Sequence, residues 1–229
     1  MKIVLLGDSM TEGAGKDCKY LREYLYAWNP SIDFKLFNYG VGGTRVGYGL
    51  WRLTNSYEFN GEKYCPLVEL DPDVVFVESF AYNNGSDGNF PGGLDHFRAM
   101  HQSIIDTLKS KTKAQIIYCI TIAPDHERFL ESVPNFIYTP VSIRRRMALD
   151  REVYLKEAVK IAGFNQLPVV NVYAETLKLA KNGTPLSTFI DPADWIHPNA
   201  EGQKLTAGMM VETLTKLLIC RYRRGEDSC

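Results

Sequence analysis

No two cysteines stand at CxxC spacing, and the five present, Cys18, Cys65, Cys119, Cys220 and Cys229, are scattered along the chain. An odd, unpatterned set suits reduced thiols better than a disulfide framework, so the expected compartment is a reducing one. Long apolar runs are missing too. Nothing approaches the ~20 residues of a membrane helix. The opening Met1-Lys2-Ile3-Val4-Leu5-Leu6 falls short of the roughly 7 to 15 apolar residues in the core of a signal peptide. The expectation is a soluble, cytoplasmic chain, although one trimmed of a leader would read the same way. Net charge is nearly absent, with 26 Lys+Arg against 27 Asp+Glu. That balance offers no field for nucleic acid or an anionic membrane surface. There is no internal repeat, low-complexity segment or linker. A chain of 229 residues, 45% of them hydrophobic, can bury one sizeable core. A single domain over residues 1–220 is expected, with a polar tail at 221–229.

What is present is an alternation. Short β-rich runs at 2–6, 34–38, 74–80, 115–122 and 168–172 are each followed by longer stretches of helical character at 17–28, 46–54, 93–109, 143–162, 173–181 and 200–218. Several strand candidates are continuously apolar, as strands covered on both faces must be. Alternating strands and helices of this kind predict a parallel sheet. The expected fold class is α/β, a three-layer sandwich around a mainly parallel five-stranded sheet. Two stretches break the rhythm and read as loops. One is 55–66, with Tyr57, Phe59, Tyr64 and Asn60-Gly61; the other is 123–142, interrupted by Pro124, Pro134 and Pro140 and carrying Phe136 and Tyr138. Irregular connections of this length usually serve as lids or binding walls.

Four separated signals fall at strand exits or at a helix entrance. Gly7-Asp8-Ser9-Met10 follows the first apolar strand, so a hydroxyl emerges where open α/β sheets place their chemistry; the competing reading is a simple helix cap. Asn38-Tyr39-Gly40-Val41-Gly42-Gly43-Thr44 follows the second strand. Its glycines allow backbone N–H groups to converge on a ligand, or only a tight turn. Ala81-Tyr82-Asn83-Asn84-Gly85 ends the third strand, where an Asn amide is able to donate to an oxyanion, or to serve a turn. In Asp194-Trp195-Ile196-His197 the three-residue spacing lets the carboxylate bond the imidazole and fix its tautomer. His96, His101 and His126 lack a partner at that spacing and read as ordinary surface or helix residues.

Together these motifs resemble, in order and over nearly the whole chain, the blocks of the SGNH hydrolase superfamily, the GDSL-type esterases and lipases. The first block has Met10 for the usual Leu. The third reads Ala81-Tyr82-Asn83-Asn84 where Gly-x-Asn-Asp is normal, so both the glycine and the aspartate are replaced. The resemblance implies a flavodoxin-like SGNH fold, Ser9 as nucleophile, His197 as base and Asp194 as its orienting acid. It also implies an oxyanion hole from the backbone of Ser9 and Gly43 and the amide of Asn83, with Gly42 as the alternative if the register slips. The implied chemistry is acyl transfer through an ester on Ser9, without metal or organic cofactor. The expected substrate is a small-molecule or carbohydrate ester, with a short acyl group on a sugar favoured. An acyltransferase using the same intermediate, and a non-catalytic carbohydrate- or partner-binding module, remain open alternatives. So does the oligomeric state.

Other motifs carry less. Gly13-Ala14-Gly15-Lys16 fails the phosphate-loop spacing, since Met10 lies where the first glycine belongs and Asp17 follows the lysine. Asp125-His126 and Asp191 lack the paired histidines of a zinc motif. Arg144-Arg145-Arg146 reads as a solvated helix start, with contact to an anionic substrate as the alternative.

Overall fold

The computed structural model describes residues 1–83 and 93–224, with side chains through Ile219. Strand β1 (Lys2–Gly7) leads into a single helical turn, α1 (Ser9–Glu12), and then α2 (Lys19–Trp28), β2 (Lys35–Gly40) and α3 (Val46–Arg52). Two short strands follow, β3 (Tyr57–Phe59) and β4 (Glu62–Tyr64), then β5 (Val74–Glu78), α4 (Gly93–Lys111) and β6 (Gln115–Ile120). The chain continues through α5 (Val141–Phe164), β7 (Val169–Asn171), α6 (Val172–Lys181) and α7 (Ala200–Arg224). Five strands form one parallel sheet in the order β2-β1-β5-β6-β7. The α/β/α sandwich expected from the alternation is therefore the observed architecture.

Alternation of side chains across the sheet explains the apolar strands. Val4, Leu6, Val75, Val77 and Tyr118 point to one face, against Val46 of α3 and Leu53 just after it, Phe97 and Ile104 of α4, and Leu155 of α5. Ile3, Leu5, Phe76 and Cys119 point to the other, against Leu21 and Leu25 of α2 and Met210 and Leu214 of α7. With helices on both faces, no strand position can be left polar without cost, and each fully buried aliphatic side chain contributes about 1.5–3 kcal/mol. Strand order reverses at β1, which has β2 on one side and β5 on the other. The loops leaving these strands diverge to opposite faces and open a crevice beyond their carboxyl ends.

Three expectations are corrected. Residues 55–66, read as a loop, contain an antiparallel hairpin pairing Tyr57 with Tyr64 and Phe59 with Glu62. Asn60 and Gly61 form its turn with φ of 51° and 75°, the left-handed pair that a two-residue hairpin connection requires. The strands are three residues each, too short for a periodicity signal. Helix α7 runs to Arg224 rather than ending near 218, since no glycine or proline stands between Leu218 and Gly225 to stop it. Of the expected tail, residues 225–229 lie outside the described residues. Arg144 is not solvated: it is 6% exposed and donates to the carbonyls of Phe129 (3.1 Å) and Thr139 (3.3 Å). The irregular stretch before α5 leaves carbonyls unpaired, and a guanidinium has the donors to satisfy them. Among the described residues Cys18, Cys65 and Cys119 are free thiols, and no helix is long and apolar enough to cross a membrane.

Gly7 ends β1 because nothing larger fits. A Cβ there would sit 1.9 Å from Thr11 Oγ1 and 2.7 Å from Glu78 Cβ. Gly7→Ala is expected to lower stability by about 1–3 kcal/mol, read from the midpoint of urea unfolding. An unchanged midpoint would mean that the turn after β1 has slack.

Candidate active site

Three adjacent strands deliver three of the sequence-marked segments to one place. Asp8 and Ser9 leave β1, Val41 to Gly43 leave the neighbouring β2, and Phe80 to Asn83 leave β5 on the other side. Asp8 is fully buried and caps α1, its Oδ1 accepting the Met10 N–H at 2.9 Å. Ser9 is thus the first residue of a helical turn rather than part of a flexible one. The cap is Asp8, and the hydroxyl of Ser9 is not used for capping.

The second oxygen of Asp8 reaches across to the third block, where Asn83 Nδ2 donates to Oδ2 at 2.8 Å. This bond decides which way the Asn83 amide faces. A carboxylate oxygen can only accept, so the NH2 group must face Asp8, and it carries a second N–H besides the one given to Oδ2. The third block departs from the family pattern at Ala81, and the backbone shows how the chain adapts. Phe80, one residue earlier, takes the left-handed conformation at φ 52°, and residues 81–83 make one turn of 3-10 helix. Asn84, the other departure, lies outside the described residues.

Gly42 and Gly43 lie beside this pair. A Cβ on Gly42 would be 3.6 Å from Ser9 Cβ and 2.5 Å from Glu12 Oε2, so that glycine is pressed against the serine turn. Gly43 has φ 68° and open space where a side chain would be. Both registers considered for the oxyanion glycine therefore fall at the same loop.

The acid and imidazole of Asp194 and His197 meet as their spacing predicted. His197 Nδ1 lies 2.5 Å from Asp194 Oδ2, while Oδ1 accepts the backbone N–H groups of Ile196 (2.7 Å) and His197 (3.0 Å). The tight loop is made by Trp195, left-handed at φ 58° and buried, with the Arg128 guanidinium 4.6 Å from its ring centroid. The bond to Asp194 pushes the imidazole of His197 above its ordinary value against the opposing effect of burial, and the charges of Asp194 and Asp8 add to it. Burial alone would raise the carboxyl of Asp194, but the bonds from His197 and the loop N–H groups outweigh it and hold it low. Asp8 and His197 each feel the other's charge, which lowers the carboxyl of Asp8 and raises the imidazole of His197.

Other candidates settle elsewhere. His101 is fully buried on α4, which pushes its value down to about 3, and its Nε2–H donates to Ser79 O while Nδ1 accepts from the Tyr118 hydroxyl. His126 pairs with Glu152 at 2.9 Å, far along the sequence, and not with Asp125. Lys16 binds Glu62 of the hairpin at 2.7 Å. Tyr57 and Tyr64 stack at 4.7 Å and pack with Tyr39 over Arg52 rather than standing free. Among the described residues, no three His, Cys, Asp or Glu side chains gather as metal ligands would.

Two residues at the site were not marked by sequence reasoning. Arg52, wholly buried, donates to the last carbonyl of β1 at Gly7 (2.9 Å) and to Tyr39 O (2.5 Å). Its helical position gives no sign of this. Glu78 ends β5 at 4% exposure; the signal was a lone carboxyl closing an apolar run.

A family model described as the GDSL-like lipase/acylhydrolase family matches residues 5–205. The chain belongs to that family. This GDSL-like chain is accordingly a carboxylic ester hydrolase. It superimposes on a lipase/acylhydrolase from Enterococcus faecalis with TM-score 0.68 at 21% identity, over 92% of this chain and 93% of the other. An acetyl xylan esterase, AlAXEase, aligns with TM-score 0.66 at 17% identity, covering 93% and 98%. An acetylxylan esterase from Geobacillus stearothermophilus aligns with TM-score 0.65 at 18% identity, covering 93% of each. At these identities the likeness is one of fold. No curated protein matches the sequence.

The imidazole makes the geometry testable. His197 should titrate by NMR above the ordinary histidine value of about 6.5, and Asp194→Asn should bring it down. Because folding raises its proton affinity, His197 contributes stability that is complete below about pH 6.5 and lost as pH rises through the folded value. Asp194 acts in the opposite sense, its contribution disappearing as pH falls. An Asp194→Asn protein with an unmoved His197 titration would show that the carboxylate does not set the imidazole's basicity.

Proposed function

We propose that the protein is a serine esterase in which Ser9 is the nucleophile, His197 the general base and Asp194 the group that orients and stabilises His197. The observation that carries this reading is the bonded Asp194–His197 pair, set so that the imidazole and Asp8, the neighbour of Ser9, feel one another's charge. A neutral imidazole whose Nδ1–H is committed to a carboxylate leaves Nε2 as a lone-pair acceptor for the serine proton. His197 takes that proton as Ser9 Oγ attacks the ester carbonyl, then returns it to the leaving alcohol. It next removes a proton from water as the water attacks the acyl-serine, and gives that proton to Ser9 Oγ as the acid leaves and the hydroxyl is restored. The backbone N–H groups of Ser9 and Gly43 and the free N–H of Asn83 receive the oxyanion. One such donor is typically worth about 3–4 kcal/mol.

The favoured substrate is a short acyl ester of a carbohydrate. Two neighbours in fold are titled acetylxylan esterases. A further support comes from α3, immediately after the glycine loop. Tyr48 and Trp51 are stacked on one another at 5.3 Å and stand 36% and 42% exposed. The C–H face of a sugar ring lies well on such an aromatic surface, whereas a long acyl chain calls for a continuous apolar channel.

Ser9→Ala is expected to lower kcat/KM on an aryl acetate at least about 1,000-fold while leaving the fold intact. A fluorophosphonate should label Ser9 alone. Absence of labelling in folded protein would remove Ser9 from its role. Assayed with acetylated xylo-oligosaccharides beside aryl and long-chain esters, the enzyme should prefer the acetylated sugars. Added alcohol should not divert the acyl group; diversion would identify a transferase, and preference for long chains would overturn the carbohydrate assignment.

A further inference from the structure

We infer that Glu78 is a positioning residue of the esterase site, holding the turn before Ser9 and the turn before Asn83 in one fixed relation. This rests on the serine-esterase reading and adds to it a residue that touches none of the reacting atoms.

Glu78 is the last residue of β5, the position at which the apolar run Val74 to Val77 gives way to a buried carboxyl. Its Oε2 accepts the Phe80 N–H at 2.6 Å and its Oε1 accepts from the Ser79 hydroxyl. On its other side Glu78 lies directly beneath the turn after β1, its Cβ 2.7 Å from where a side chain on Gly7 would start, and it feels the charge and the backbone N–H of Asp8. From Phe80 the chain runs three residues to Asn83, and Asn83 returns to Asp8 through the Nδ2–Oδ2 bond. Glu78 therefore packs between the two segments that the Asp8–Asn83 bond joins. The nucleophile turn is on one side of it and the oxyanion amide on the other.

The need for such a brace follows from the third block itself. Where the family places a glycine this chain has Ala81, and the bend is made instead at Phe80. A non-glycine residue in the left-handed region costs roughly 1–2 kcal/mol, so Phe80 keeps φ 52° only if something holds it. A short bond from its N–H to Glu78 does so. Gly7 provides the matching concession on β1, since only a residue without Cβ allows Glu78 this close beneath the turn.

The charges nearby oppose a second negative group at this place. Burial, and then the neighbouring negative charge of Asp8, push the Glu78 carboxyl well up. Burial raises the Asp8 carboxyl as well, but the bonds from Met10 and Asn83 and the charges of His197 and Arg52 work against it. Ser79 Oγ donates to Glu78 Oε1 and the Phe80 N–H to Oε2. A glutamine of the same shape keeps the Phe80 bond through its carbonyl oxygen and, with the Ser79 hydroxyl turned to accept, makes the other through its amide N–H.

The test compares Glu78→Gln and Glu78→Ala, with kcat and KM measured separately on an aryl acetate, and repeats both in an Asn83→Ala background. Glu78→Gln should keep kcat within about threefold, and Glu78→Ala should lower it about 30-fold or more with KM nearly unchanged, since the damage falls on transition-state stabilisation. In the Asn83→Ala background the Glu78→Ala change should cost almost nothing further, because residues that act through one another are not additive. A folded Glu78→Ala enzyme with undiminished kcat, or losses that multiply in the double variant, would overturn the inference. If Glu78→Ala does not fold, Ser79→Ala takes its place. It should lower kcat about fivefold and lose that effect in the Asn83→Ala background, and an unchanged kcat there overturns the inference equally. A wild-type protein that neither hydrolyses the ester nor takes the fluorophosphonate overturns the esterase reading itself, and this inference with it.

Discussion

The carboxylate of Asp8 has no contact with water and divides its two oxygens between two segments that lie far apart in sequence. One oxygen starts the helical turn that carries Ser9. The other turns the amide of Asn83 so that nitrogen, not oxygen, faces the carboxylate. A surface carboxylate would be free to turn to solvent, but a buried one whose partners are removed leaves an uncompensated charge. The Ser9 turn and the Asn83 amide are consequently held together by a constraint that neither could impose alone. Arg52 supplies the opposite charge from below and pins the last carbonyl of β1. The sheet needs to supply only the register that brings the two strand exits side by side, Leu6 opposite Val77.

The fold was legible because its two layers of helix force most of the strands into continuous apolar runs, and five β-rich runs alternating with helical stretches were visible. What escaped was short or paid for by distant partners. Strands of three residues in the hairpin carry no period, although Asn60-Gly61 was a turn signal in plain view. Arg144 looked like part of a solvated cationic run, and nothing local says that the loop before it lacks donors. At the site, Asp194 and His197 were readable because they are three residues apart and meet within one turn. Ser9, Gly43 and Asn83 were readable only as residues at successive strand exits. The bond from Asn83 to Asp8 spans 75 positions, and the roles of Arg52 and Glu78 exist only once the strands are adjacent.

The irregular loop between β6 and α5 is tied to the bonded Asp194–His197 pair through Trp195. Trp195 sits between Asp194 and His197, and Arg128 of that loop covers its ring. The left-handed backbone at Trp195 makes the short path from carboxylate to imidazole, and the indole's burial holds that backbone in place. The loop is thus part of what shapes the Asp194–His197 turn, although none of its side chains belongs to the pair.

Ser9 comes from the first strand of the sheet and His197 from the segment just before the last helix, so almost the whole polypeptide separates them. During synthesis Ser9 emerges long before Asp194 and His197, and α7, which follows that pair, packs its Met210 and Leu214 on the same face of the sheet as α2. Under the proposed serine-esterase reading, a chain that ends before His197 therefore carries Ser9 without its base, and the hydroxyl becomes a nucleophile only in the completed polypeptide.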